Sequence, residues 1–428
     1  MRSVLADAPS TKTGRPLLRA VGPRSALALS VALVAAMLIA LVLQDERRRA
    51  DPPGLTTGGP SPAAASTALR RFVEAVDERD PGLARDAAPP GNVDAAELLA
   101  ALVGNAEKLA VSDFSARYVD AVGAVSPDGS WAAAVELTWR FAGFDGVPAR
   151  AEVLVHLGGA GADTGIVQFG GDQPARGRRT PVWLTGPIQV AGNDKRVVLV
   201  AGSAVQARRV ARRVDVGIHV VRRMLPRWRP RVVVEVPASA AALDEALGTE
   251  PGTHGSIAAV TAAVGAPAGT RTPAHVFVNP DVSDDLRPAG AQVVMSHELT
   301  HLATDATASP MQVWLLEGFA DYVALRDVAL PDRTTLARAI RLARRSGVPD
   351  HLPGPAELDS RAGDLQAAYE QAWLACRIVA ERLGERGLVR VYRAADRGVP
   401  VERALRQAGL RQGELLREWR RRLRDLAG

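Results

Sequence analysis

The chain has 428 residues, of which 47% are hydrophobic, and 53 Lys and Arg against 47 Asp and Glu give a net charge of +6. That length and apolar content exclude a disordered chain and suffice for two ordinary domains with an extra segment. The single cysteine, Cys376, excludes an internal disulfide and a thiolate zinc cage, and it says nothing of the redox compartment. The cations are nearly all Arg, are interleaved with Asp and Glu, and form no stripe with aromatic residues, so no nucleic-acid partner is expected.

Nineteen consecutive residues without a charge, 25–43, are dominated by Ala, Leu and Val. As a helix they would span about 28 Å, close to the hydrocarbon thickness of a bilayer. Arg2, Lys12, Arg15, Arg19 and Arg24 precede the run, which orients residues 1–24 as a cytoplasmic tail. A cleaved signal peptide is the rival reading, but Leu41-Val42-Leu43-Gln44 lacks the small-x-small pattern of a cleavage site. The expectation is an uncleaved signal anchor: a single-pass protein of the cell membrane with its C-terminal part outside the cytoplasm. Residues 44–65, with DPPGLTTGGPSPAAAS at 51–66, read as a linker because Pro and Gly interrupt any regular element.

Leu69, Phe72, Val73 and Val76 recur at helical spacing, and alternating runs follow at Ser115–Val125, Trp131–Phe141 and Ala149–Leu157. A helical region before an antiparallel sheet resembles the NTF2-like α+β cone fold, over 66–184. Trp131, Trp139, Phe141 and Phe144 serve either a pocket or the core, and core packing is the expectation.

The remaining stretch, 186–428, reads as the catalytic domain. Apolar runs at Val197–Val200, Val232–Val236, Ile257–Val264 and Val276–Val278 supply a small sheet. Val205, Val210, Val214, Ile218 and Val221 form one apolar stripe on an arginine-rich helix, and Leu415, Leu416, Trp419, Leu423 and Leu426 form another that closes the domain.

Between them lies HELTH at 297–301. Two histidines four residues apart stand on one face of a helix and can reach one metal ion, while Glu298 sits beside the metal as a base. Downstream, WLLEGFADY at 314–322 offers Glu317 as third ligand. Asp321, four residues on, lies on the same helical face and is placed to accept the spare N–H of a ligating histidine. The plain alternative makes His297 and His301 the polar side of an amphipathic helix with Val293, Val294, Leu299 and Leu302 on the other.

HELTH with WLLEGFADY resembles the gluzincin class of zinc metallopeptidases, in particular its compact peptidase MA-like members, over roughly residues 195–428. The resemblance implies one Zn²⁺ held by His297, His301 and Glu317, Glu298 as general base, and Asp321 orienting a ligand histidine. It also implies an edge strand along the cleft, placed at 274–279, with Val276, Phe277, Val278 and Asn279 binding an extended substrate backbone. A donor for the oxyanion is implied too, with Tyr369 first and His351 second. His156, His219, His254 and His275 have no partner at ligand spacing and receive no role.

The expected whole is an α+β chain: a transmembrane helix, an NTF2-like cone domain, and a mainly helical gluzincin-like domain with a small sheet. Its expected activity is zinc-dependent hydrolysis of peptide bonds in a peptide or protein substrate. The rival is a non-catalytic zinc-containing scaffold that recognises a ligand or partner through the NTF2-like domain.

Overall fold

The structure, a computed structural model, describes residues 60–171, 177–265, 272–359 and 361–428. The expected span at 25–43 and its flanks lie outside the described residues. Among the described residues, no helix is long and apolar enough to cross a membrane.

The architecture is α+β. Helix α1 (Pro62–Glu78) begins where Ser61 caps the amide of Ala64 and Pro62 occupies the first turn; α2 (Val93–Lys108) is capped by Asn92. Four antiparallel strands follow in the order β1 (Val111–Val122), β2 (Trp131–Phe141), β3 (Ala149–Gly158) and β4 (Gly165–Phe169). Two bulges in β1, after Ser112 and after Tyr118, bend and twist its pairing with β2. The helices cover one side of this sheet, and Phe72 packs against Phe114 and Phe169 in the core between. Trp131, Trp139 and Phe141 are buried there, as core packing requires.

A second, mixed sheet has the order β5-β6-β7-β9-β8. Its members are β5 (Gln189–Gly192), β6 (Arg196–Val200), β7 (Val232–Val236), β8 (Ala259–Ala263) and β9 (Ala274–Val278). The strands β6, β7 and β9 run parallel to one another, with β5 and β8 antiparallel at the ends. Both faces of this sheet are covered, which explains why its strands are apolar without alternation. Val197, Leu199, Val233 and Phe277 belong to the core shared with the first sheet and its helices. Val198, Val200, Val234, Val276 and Val278 belong to a second core made with the helices that follow.

Those helices are α3 (Ala204–Met224), α4 (Ala240–Leu247), α5 (Pro288–Thr304), α6 (Val313–Leu325), α7 (Ala337–Ser346), α8 (Leu365–Leu383), α9 (Glu385–Asp396), α10 (Val401–Ala408) and α11 (Gln412–Ala427). The stripe expected on α3 is buried at Val210, Val214, Ile218 and Val221, but Val205 is 65% exposed and does not belong to it. The closing helix α11 buries Leu415, Trp419 and Leu423, and the Trp419 indole donates to the Gln371 carbonyl.

The substrate strand is misplaced in the sequence reading. β9 is an interior strand: β7 pairs with one of its backbone edges and β8 with the other, so Val276, Phe277 and Val278 have no free ladder to offer. Asn279 is likewise buried, its amide donating to the His254 carbonyl and its oxygen accepting from Asp281 N. Among the described residues the sheet ends at β8, whose outer side pairs with no strand.

Candidate metal centre

Pro288 opens α5, and Asp305, in the left-handed conformation, ends it by donating to the carbonyls of His301 and Leu302. The helix has no solvent face over its second half: Met295 through His301 are all buried. His297 and His301 are therefore not the wet side of an amphipathic helix, and the plain alternative reading fails at the fold.

Helix α6 packs against α5 and brings Glu317 to the two histidines. His297 Nε2 lies 2.9 Å from His301 Nε2 and 3.1 Å from Glu317 Oε2, and His301 Nε2 lies 3.3 Å from the same oxygen. These three residues are the set whose ligand atoms converge on one point among the described residues. On the far side of the ring, His297 Nδ1 donates to Asp321 Oδ1 at 2.7 Å. With a metal bound, that bond would hold the neutral tautomer whose Nε2 lone pair faces the convergence point. Three such atoms aimed at one another repel unless a proton or a metal cation sits between them.

The electrostatics say the same. Burial disfavours a charged His297, yet Asp321 and the hydrogen bonds to Asp321 and Glu317 outweigh it and hold its pKa well above the usual range. Burial by itself raises Glu317, but the facing His301 and His297 pull its pKa far down. A field that holds a proton this strongly also favours a divalent cation. The donor set fits zinc: two imidazoles and a carboxylate are borderline ligands, and tetrahedral zinc bonds of about 2.0–2.2 Å would hold ligand atoms about 3.3–3.6 Å apart, so the pair at 3.3 Å already has that spacing and the closer pairs would part by a few tenths of an ångström. His301 Nδ1 is buried without a partner, so its ring lacks the support that Asp321 gives His297.

Glu298, 7% exposed, does not join the three ligand atoms. Its carboxylate oxygen Oε2 accepts from the Thr261 hydroxyl at 2.7 Å, and the same hydroxyl lies 3.0 Å from the Glu298 carbonyl oxygen. Thr261 stands on β8, the strand that ends the sheet, and nothing in the sequence reading singled it out. Strand periodicity alone turns it to the same side as Ala259 and Ala263. Nothing in the sequence links it to Glu298, its partner on α5.

Tyr369, in the first turns of α8, packs its ring edge-on to His297 with 5.9 Å between centroids. Burial, then the charges of Glu317, Glu298 and Asp321, push its phenol pKa far up, so it stays a proton donor. His351 is exposed, and its Nδ1 faces the neighbouring Leu352 carbonyl. The structure thus brings together His297, Glu298, His301, Glu317, Asp321 and Tyr369, and leaves out His351 and the 276–279 strand.

Close approach of α6 to α8 makes this possible. A Cβ at Gly318 would stand 2.3 Å from the Ala372 carbonyl oxygen and 3.0 Å from Cys376 Sγ. Next to Glu317, only glycine lets the helix sit deep enough. On α9, the Tyr392 hydroxyl donates to Thr304 at the end of α5, and its ring packs at a tilt against Phe319 with 4.2 Å between centroids.

No protein-family model matches the chain, and neither does any curated protein or solved structure.

Proposed function

We propose that this chain is a membrane-anchored zinc metallopeptidase of gluzincin type, cleaving peptide bonds outside the cytoplasm. The observation that carries the reading is the convergence of His297 Nε2, His301 Nε2 and Glu317 Oε2, with Asp321 behind His297 and a carboxylate, Glu298, beside the three. The N-terminal helices and bent four-stranded sheet suit an NTF2-like cone, here in the role of a platform beneath the catalytic sheet.

His297, His301 and Glu317 would hold the zinc. When bound, zinc supplies the Lewis acidity that brings the pKa of a water from about 16 to about 7. Glu298 takes a proton from the attacking water and returns it to the leaving amine, and Thr261 keeps its carboxylate aimed. Tyr369 donates to the carbonyl oxygen as negative charge develops there. The free outer side of β8 replaces 276–279 as the strand along which an extended peptide backbone lies. Burial of the ligands keeps competing water away and strengthens each of these interactions.

The test combines elemental analysis of the full chain with hydrolysis of a mixed peptide library, with and without a chelator. One zinc per chain with chelator-sensitive cleavage is expected. Glu298→Ala should keep the zinc and lose the cleavage, because Glu298 is a base and not a ligand. Zinc without cleavage in the unsubstituted chain would favour the scaffold reading, and absence of zinc would overturn the metal centre itself.

A further inference from the structure

One long stretch carries far more cations than carboxylates. Between Lys195 and Arg231 there are eleven basic residues and one acidic residue, Asp215, a net of +10 where the whole chain carries +6. The rest of the chain is therefore net negative, and the positive charge is local.

The structure spreads this charge over one surface. Helix α3 buries Val210, Val214, Ile218 and Val221, and its Gly217 lies against Leu299 of α5, so the opposite face is held outward. Arg196, Arg209 and Arg223 pair with Asp215, Asp284 and Asp327. Arg208, Arg212, Arg222, Arg227, Arg229 and Arg231 are exposed, and among the described residues none has a carboxylate oxygen within 4.0 Å. A surface depression of about 610 Å³ lies in this region, lined by Lys195, His219, Arg222 and Arg223 with Asp215 as its one carboxylate. Val205 and Val216, 65% and 49% exposed, stand on the same helical face as Arg212.

We infer that the outer face of α3 and the loop after it dock on an anionic lipid surface. Unpaired arginines at a surface attract anionic headgroups, and each adds to the binding. Two exposed valines among them suit the boundary between headgroups and acyl chains, where apolar side chains are taken up. A single-stranded nucleic acid would call for exposed aromatic rings to stack on, and the one aromatic residue of the stretch, Trp228, is partly buried. The apolar run at 25–43 places a bilayer within reach of the chain, and the basic face would then orient the catalytic domain on it.

The test uses the full chain reconstituted in phosphatidylcholine vesicles with and without phosphatidylglycerol. Val216→Cys is labelled with an environment-sensitive dye, and Cys376, fully buried, stays unlabelled. A blue shift of the emission with phosphatidylglycerol alone is expected. It should be lost at high salt, which screens exposed charges, and lost in Arg208→Glu/Arg212→Glu/Arg222→Glu. The salt arm uses the unreversed surface, so it decides the matter even if the triple variant folds poorly. Equal emission in the two vesicles overturns the inference, as does a shift that survives charge reversal. A response to duplex DNA with none to phosphatidylglycerol overturns it in favour of nucleic acid.

Discussion

The Thr261 hydroxyl on β8 lies 2.7 Å from Glu298 Oε2, tying the strand that ends the mixed sheet to the side chain beside His297, His301 and Glu317. If Glu298 is the base, this bond holds the carboxylate in its working orientation. A hydrogen bond to a charged group contributes about 1.5–3 kcal/mol, so Thr261→Val should lower kcat roughly 10- to 100-fold. KM and zinc content should stay, and Thr261→Ser should recover most of the rate. Steady-state kinetics with parallel metal analysis checks this; an unchanged kcat in the valine variant would remove Thr261 from the mechanism.

If a metal is held here, Glu317 and Asp321 should contribute differently to its affinity. Glu317 Oε2 meets both histidine nitrogens, and its loss leaves two ligands, so Glu317→Ala should abolish stoichiometric zinc. Asp321 meets only the back of His297, so Asp321→Asn should weaken zinc by about 10- to 100-fold. Competition titrations against a chelator of known affinity separate the two; full zinc occupancy in the Glu317 variant would discard it as a ligand.

His275, without a role in the sequence reading, is fully buried between two carboxylates from different parts of the chain. Its Nδ1 lies 2.6 Å from Glu235 Oε1 on β7, and its Nε2 lies 3.0 Å from Asp145 Oδ1 in the segment that follows β2. Burial lowers its pKa, but Asp145 and Glu235 overcome that and raise it to about 9. The imidazolium is therefore favoured by folding. Its contribution is fully present below pH about 6.5, the value in the unfolded chain, and is lost as the pH rises through about 9. By linkage the amount is on the order of 3 kcal/mol. Thermal melts should fall steadily between those pH values, and His275→Gln should be less stable at pH 6 and lose the slope. A slope unchanged in the variant would assign it to other groups.

The closeness of His297 and His301 was legible because a helix fixes what an HxxxH spacing means: two residues four apart share a face whatever surrounds them. The same period puts Glu317 and Asp321 on one face of their own helix, and the packing of that helix against α5 is what brings them to the histidines. The strands were legible as apolar runs, and Val232–Val236 and Trp131–Phe141 stand where those runs place them. Their lateral order was not, because β9 follows β8 in the chain yet inserts between β7 and β8 in the sheet. A strand's own residues do not say which neighbours it takes, so the edge was assigned to 274–279 when it belongs to 259–263. Thr261 and Asp145 went unnoticed for a related reason. Each meets its partner across a long sequence separation, and a lone Thr in a strand or a lone Asp in a loop has no spacing to be read.

Gly318 sets how closely α6 can approach α8, and thereby where Glu317 stands. An added Cβ would lie 2.3 Å from the Ala372 carbonyl oxygen and 2.6 Å from its carbon, both backbone atoms that cannot swing aside. Gly318→Ala must therefore push the two helices apart, with a loss of about 1–3 kcal/mol expected for overpacking. Because Glu317 and Asp321 ride on the displaced helix, zinc affinity should fall along with the melting temperature. Cys376→Ala should not rescue the variant, since Sγ, at 3.0 Å, is the more distant obstacle. Gly217→Ala is the control: its new methyl meets Leu299 Cδ1 at 2.6 Å, the far end of a side chain that can change rotamer. It should melt close to the unsubstituted chain and keep its zinc. A Gly318 variant that does the same would show that α6 has room to spare, and that the position of Glu317 is not set by this contact.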